Sequence, residues 1–354
     1  MLPPRPDPTH LARLLADTDY FRRSPSRLGG KGEHKEWQHF IVHTGEMNLL
    51  VNFSLLDEPR PGRLGSAEVA RLIVMAHGED GWEGDVERFE DGEVEVTAGH
   101  LHARFGRNTL RFEDGRWRLS VALRERPVSV ELELVPVTLP ALSAHHLLAP
   151  QRPISWLFLP RLEARGTVTL GRRTVRVEGA PAYHDHNWGH FRWGDDFCWE
   201  WGSAVPLEAS NPWSAVLVRM ADRGRTAARY QALFLWGGGE SLRVFRDEEL
   251  RFSTPGFFQQ PGRSFCLPRP LALLAPGTAA DLPRVLEVEA RGRGDELRLS
   301  FTPQHAARLL LPAEGSLEQL TTIHEVLGPV SLRGRVRGET VEMEGPAVFE
   351  FVRG

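Results

Sequence analysis

Along segment after segment of this chain, apolar and polar residues alternate one for one. Trp117, Leu119, Val121 and Leu123 interleave with Arg116, Arg118, Ser120 and Ala122, and Val128, Val130, Leu132 and Leu134 with Ser129, Glu131 and Glu133. A period of two sends successive side chains to opposite faces, which is the pattern of a half-buried strand. The connections are short: Arg124-Glu125-Arg126-Pro127 is hairpin-sized, and Glu113-Asp114-Gly115 supplies a turn of the Asp-Gly kind. The same style returns at Thr167–Leu170, Thr174–Glu178, Trp213–Met220, Tyr230–Trp236, Val285–Ala290, Glu296–Phe301 and Val330–Val336. No residue-level repeat is visible, but the two halves match in element type.

The only clear helical pattern is at the N-terminus. Asp7 is a plausible N-cap, Pro8 suits the first helical position, and Leu11, Leu14 and Leu15 form an apolar stripe, which predicts a short helix over residues 7–16. Two Pro-rich stretches, Pro136–Pro160 with five prolines and Pro255–Pro283 with six, are expected to be loops or barrel covers rather than central strands. About twenty short strands in 354 residues indicate sandwiches or antiparallel barrels. The expected fold is all-β: two tandem lipocalin-like antiparallel β-barrels with a short N-terminal helix. The expected divisions are a leader over 1–32, a first barrel over 33–189 and a second over 190–354.

Charge and composition narrow the function classes. A net charge of −4, with the basic residues scattered, argues against nucleic acid as a partner. No apolar run is long enough for a transmembrane segment, and Met1–Pro8 lacks a signal-peptide pattern, so a cytoplasmic location is expected. Two cysteines, Cys198 and Cys266, are too few for a disulfide or metal framework. The excess is in tryptophan: 10 Trp against 3 Tyr.

The densest chemistry runs from Tyr183 to Trp193, as Tyr-His-Asp-His-Asn-Trp-Gly-His-Phe-Arg-Trp, followed by Trp199, Glu200 and Trp201. On a strand, parity places His184, His186 and Trp188 on one face and Tyr183, Asp185 and Asn187 on the other. Likewise Trp37, His39, Ile41 and His43 share a face, opposite Glu36, Gln38, Phe40 and Val42. Three readings fit. His184 and His186 could hold a metal with His39 or His190 as a third ligand. The run could be a hydrogen-bonded barrel plug whose indoles fill the core. Or a carboxyl or imidazole among indoles could be a proton donor of shifted pKa, with Trp188, Trp199 and Trp201 facing a carbocation.

The run Gly179-x-x-x-Tyr183-x-Asp185-His186-Asn187-Trp188-Gly189 resembles the central signature of the carotenoid 1,2-hydratase (hydroxyneurosporene synthase) superfamily of lipocalin-like proteins. Glu36-Trp37-x-x-Phe40 is similar to that family's opening motif, Trp199-x-Trp201 to the pair that follows the signature, and Gly345–Glu350 to its closing motif. The resemblance implies two lipocalin-like barrels and one of two chemistries: addition of water to an isoprenoid alkene, or dehydration or pericyclic ring closure as in natural-product relatives. It implies no organic or metal cofactor, and places acid chemistry on His186, Trp188 and a Tyr-x-Asp pair in the next strand. That strand here, Trp213–Asp222, has no Tyr-x-Asp, and Gln38-His39 replaces the opening Trp-Tyr, which points to a divergent member.

The expectation is therefore a cofactor-independent hydratase or cyclase for a hydrophobic isoprenoid, polyene or polyketide. Asp185 or Glu200 would be the buried acid, His186 the relay, and Trp188 part of the catalytic lining. Trp199 and Trp201, with Tyr183 and His184, would bind substrate, and Glu36, Trp37 and His39 would close the pocket. No metal site is assigned. A peripheral membrane contact for substrate access is a further expectation, and a non-catalytic lipocalin-like carrier for an apolar metabolite is the competing class.

Overall fold

The computed structural model describes residues 2–22, 34–56, 68–192, 197–259, 264–270, 281–312 and 320–353. Among them are 23 strands and one α-helix. The helix, Pro8–Thr18, begins where the sequence places it: the Asp7 carboxylate accepts from the backbone N–H groups of Thr9 at 2.8 Å and His10 at 2.9 Å. It packs on the body of the first unit: Leu11, Leu15 and the following Phe21 are buried in its core.

The chain divides into two compact units, one comprising Arg5–His146 and Gln151–Phe191, the other Arg192–Gly354 with Leu147–Pro150 and the first few residues. The first unit's sheet runs in the order Gly81–Glu90, Glu68–Gly78, Asn48–Leu56, His34–His43, Arg173–His190, Arg152–Leu170, Val128–Pro136, Arg116–Ala122, Asn108–Glu113, His102–Phe105, Val94–Val96. The meander predicted around residue 120 is present, with Trp117 opposite Leu134 and Val121 opposite Val130. Phe21, Phe53, Phe89, Phe105 and Trp117 fill the interior.

The second unit repeats the plan. Its sheet runs Glu240–Arg246, Ala228–Gly237, Trp213–Ala221, Cys198–Ala204, Glu339–Arg353, Leu320–Val336, Asp295–Phe301, Leu286–Gly292, Leu250–Ser253. In each unit the first strand is flanked by the second and the last, and the fourth is followed by a 3₁₀ turn, Asp91–Glu93 or Asp247–Glu249. The repeat is one of topology, which is why no residue-level match shows it. Among the described residues the chain is thus all-β, with two tandem lipocalin-like barrels and one short helix.

One expectation fails. Much of the first Pro-rich stretch is sheet: Ala141–Ala149 is a strand, and Arg152–Leu170 lies centrally between Arg173–His190 and Val128–Pro136. The prolines are tolerated for positional reasons. Pro153 is the second residue of its strand, and Pro160 lies where the register shifts between Leu159 and Leu162, so neither interrupts a regular ladder. In the second stretch, the described part contains one three-residue strand, Phe265–Leu267, paired in parallel with His305–Pro312.

Candidate functional site

The Arg173–His190 strand carries the central run, and its glycines have specific tasks. Gly179 has φ +69°, a left-handed conformation that a side chain disfavours. At Gly189 a Cβ would lie 2.4 Å from the Pro153 carbonyl oxygen, so the residue must be small for the neighbouring strand to approach.

On the inner face His184 and His186 are wholly buried. The helix end delivers Asp19 between them. Its Oδ2 lies 3.0 Å from His184 Nε2 and its Oδ1 3.0 Å from His186 Nδ1. Trp117 Nε1 and Gln38 Nε2 also donate to it, at 2.9 and 3.1 Å. The other His186 nitrogen, Nε2, is 2.8 Å from Glu36 Oε1, and His184 Nδ1 is 2.9 Å from the His39 carbonyl. Four imidazole nitrogens thus face four oxygen acceptors. Both His186 nitrogens face carboxylate oxygens, and only an imidazolium can donate to both.

The electrostatics agree. Burial opposes charge on Asp19, but His184 and His186 overcome it and hold the carboxyl well below the usual range. Burial would likewise raise Glu36; hydrogen bonds from His186 and His34 instead hold it at about 2. For His186 burial acts downward, and the bonds to Asp19 and Glu36 reverse it, leaving the imidazole above its ordinary value. Arg22 closes the cluster. Its guanidinium lies 3.6 Å from the Trp188 ring centre, and Nη1 is 3.4 and 3.5 Å from the two His186 nitrogens. Near-equal distances to both nitrogens, whose in-plane partners are already carboxylates, mean that it lies over the ring face.

The outer face is separate. Tyr183 Oη donates to Asp185 Oδ2 at 2.9 Å, and Asn187 Nδ2 donates to Asp185 Oδ1 at 2.5 Å. His39 is on this side, with Nδ1 accepting from Asn52 Nδ2 at 3.3 Å; burial, then the charge on His184, pushes it down to about 3. Trp37 meets Phe191 edge-on, ring centres 6.0 Å apart.

Several predicted groupings are rearranged. Asp185 and His186 point to opposite faces, so His186 does not orient that carboxyl; Asp19 and Glu36 are its partners. Glu36 is on the inner face and Trp37 and His39 on the outer, so the three do not close one pocket. His39 cannot join His184 and His186 around a metal, and the nitrogens of that pair already point at oxygens. Glu200 is not set among indoles: Arg353 Nη2 reaches its Oε1 at 2.8 Å and Arg219 Nη1 its Oε2 at 3.2 Å. Trp193 lies outside the described residues.

The carboxyl that meets Trp199 and Trp201 is Glu350. Trp199 Nε1 donates to it, Trp201 is its cross-strand partner on one side, and Glu325 is its hydrogen-bonded partner on the other. Trp199 also stacks on Phe197, ring centres 4.8 Å apart. Burial pushes Glu350 up to about 7, against the bonds from Trp199 and Glu325. Glu350 closes the last motif quoted from the sequence. Asp19 carried no signal beyond following a helix.

No family model matches the sequence, and neither does any curated protein. Solved structures do match. A Nitrosomonas europaea protein provisionally named ATTH aligns over 90% of this chain and 92% of its own, with TM-score 0.61 and 14% identity. Kievitone hydratase from Nectria haematococca aligns over 100% and 99%, with TM-score 0.56 and 13% identity. CghA, in its structure with Sch210972, aligns over 96% and 94%, with TM-score 0.60 and 12% identity. At such identities the likeness is one of fold.

Proposed function

We propose that the chain is a cofactor-independent enzyme that adds water to, or closes a ring in, a hydrophobic isoprenoid, polyene or polyketide. The observation that carries this reading is the Tyr183–Asp185 pair. A phenol and a carboxylate two residues apart, joined at 2.9 Å and fixed further by Asn187, form a preoriented proton-handling couple on a buried face beside a neutral His39. The fold shared with a hydratase supports the same class. A carrier holding its ligand in the first barrel is disfavoured, because Phe21, Phe53, Phe89, Phe105 and Trp117 occupy that interior.

The test is incubation of the purified chain with a panel of apolar polyenes, prenylated aromatics and linear polyketides in ¹⁸O-water, read by mass spectrometry. Hydration adds labelled water, and cyclisation gives an isomer of unchanged mass. Asp185→Asn and Tyr183→Phe should each lower kcat by about 10²–10⁴-fold. Tight binding of a panel member with no conversion by wild type would replace the enzyme reading with the carrier one.

A further inference from the structure

The second unit holds a carboxyl pair that none of the chemistry above uses. Glu325 and Glu350 are opposed across the Leu320–Val336 and Glu339–Arg353 strands and are hydrogen-bonded through their side chains. Glu325 is 2% exposed, whereas Glu350 keeps some accessible surface. Their neighbours on the same face are apolar: Ile323, Leu327, Val348 and Val352, with Trp199 and Trp201 on the flanking strand. The cations that share this face are exposed and further off: Arg333 and Arg335 toward the far end of the Leu320–Val336 strand, and His305 opposite Leu327 on the His305–Pro312 strand. Two carboxyls in contact in such surroundings cannot both ionise at little cost, and a bond between their oxygens requires a proton between them.

We propose that Glu350, sharing a proton with Glu325, is the proton donor to an electron-rich alkene held against Trp199 and Trp201. The inference takes the reaction class from the reading above, but the state of the pair does not depend on it. In the step, the alkene π electrons form a C–H bond to the Glu350 proton, and the O–H pair stays on the carboxylate. The cation left on the more substituted carbon faces the indole rings. Water forms the C–O bond, and its released proton returns to the pair, so that alkene and water give alcohol and the acid is restored. The single accessible member of the pair is the one that Trp199 orients, and its value near neutrality suits a donor that must also be reprotonated.

Infrared difference spectroscopy of the full chain tests the pair without a substrate. Wild type should show the carbonyl stretch of a protonated carboxyl at pH 6, shifted in D₂O and titrating away with a midpoint near 7; Glu350→Gln should lack it. Trp199→Phe, which removes a bond that favours the carboxylate, should raise the midpoint. Absence of the band from pH 5 to 8, its persistence in Glu350→Gln, or an unmoved midpoint in Trp199→Phe would overturn the pair. With a substrate from the panel in hand, Glu350→Gln should lower kcat by about 10²–10⁴-fold with little change in KM, and should abolish the alkaline limb of the wild-type pH–rate profile. An unchanged kcat would overturn the donor role. If no panel member is converted by wild type, the function reading fails while the spectroscopic result stands.

Discussion

Asp19 Oδ1 lies 3.0 Å from His186 Nδ1, and both side chains are wholly buried. One residue ends the N-terminal helix and the other sits in the last strand of the first barrel, so the contact ties the chain's start to its barrel. Asp19→Asn removes the charge that offsets two imidazoles, and removal of one partner from a buried ion pair costs about 3–5 kcal/mol. Urea denaturation should show a loss of that order. Gln38→Leu, which removes a neutral donor to the same carboxylate, should cost less.

The protonation of buried histidines should be legible in stability against pH. His186 is raised, so its contribution is full below the unfolded value of about 6.5 and is lost as pH rises through its folded value. His43 is depressed to about 4 by burial, partly opposed by its bond to Asn48; its contribution is full above about 6.5 and lost as pH falls toward 4. The stability difference between wild type and His186→Gln should therefore shrink on the alkaline side. That between wild type and His43→Gln should shrink on the acid side, by up to about 1.4 kcal/mol per pH unit. Paired denaturation curves at pH 4.5, 6.5 and 8.5 read both, and parallel curves would contradict the assigned charge states.

Glu200 is paired with both Arg353 and Arg219 in the second unit. Arg353 has a weaker second partner in Asp281, at 3.7 Å, and Arg219 is partly exposed, so Glu200→Gln should cost less than loss of a fully buried pair, about 2 kcal/mol. High salt should reduce the difference, because solvent reaches Arg219.

Gly189→Ala should destabilise the first unit by about 2–3 kcal/mol, the cost of forcing a methyl into a packed site. The Cβ would meet backbone atoms, the Pro153 carbonyl oxygen at 2.4 Å and Ile154 Cα at 2.9 Å, which cannot swing aside. Gly171→Ala is a useful contrast. Its Cβ would meet nothing within 4 Å, so any cost there comes from its left-handed φ of +63° alone.

Much of this was legible in the residues because strand faces are a local property. Alternation at Trp117–Leu123 and Val128–Leu134 specified two strands and their buried sides, and Asp7-Pro8 specified a helix start. Parity alone separated His184, His186 and Trp188 from Tyr183, Asp185 and Asn187. Partnerships across the chain were not legible. Nothing near Asp19 announces that it ends between His184 and His186, since that depends on which element fills the barrel. Glu200 and Glu350 are both glutamates on strands with aromatic neighbours, and only strand order gives the first two arginines and the second a carboxyl and an indole. Pro160 read as a breaker because a bulge is a feature of two strands, invisible in either one. The sequence by itself determined the all-β class, the strand faces and the run in which chemistry is concentrated, because φ, ψ and side-chain alternation are set over a few residues. The tertiary structure decided which charges meet and which stay apart, because those contacts are set by register and packing between segments far apart in the chain.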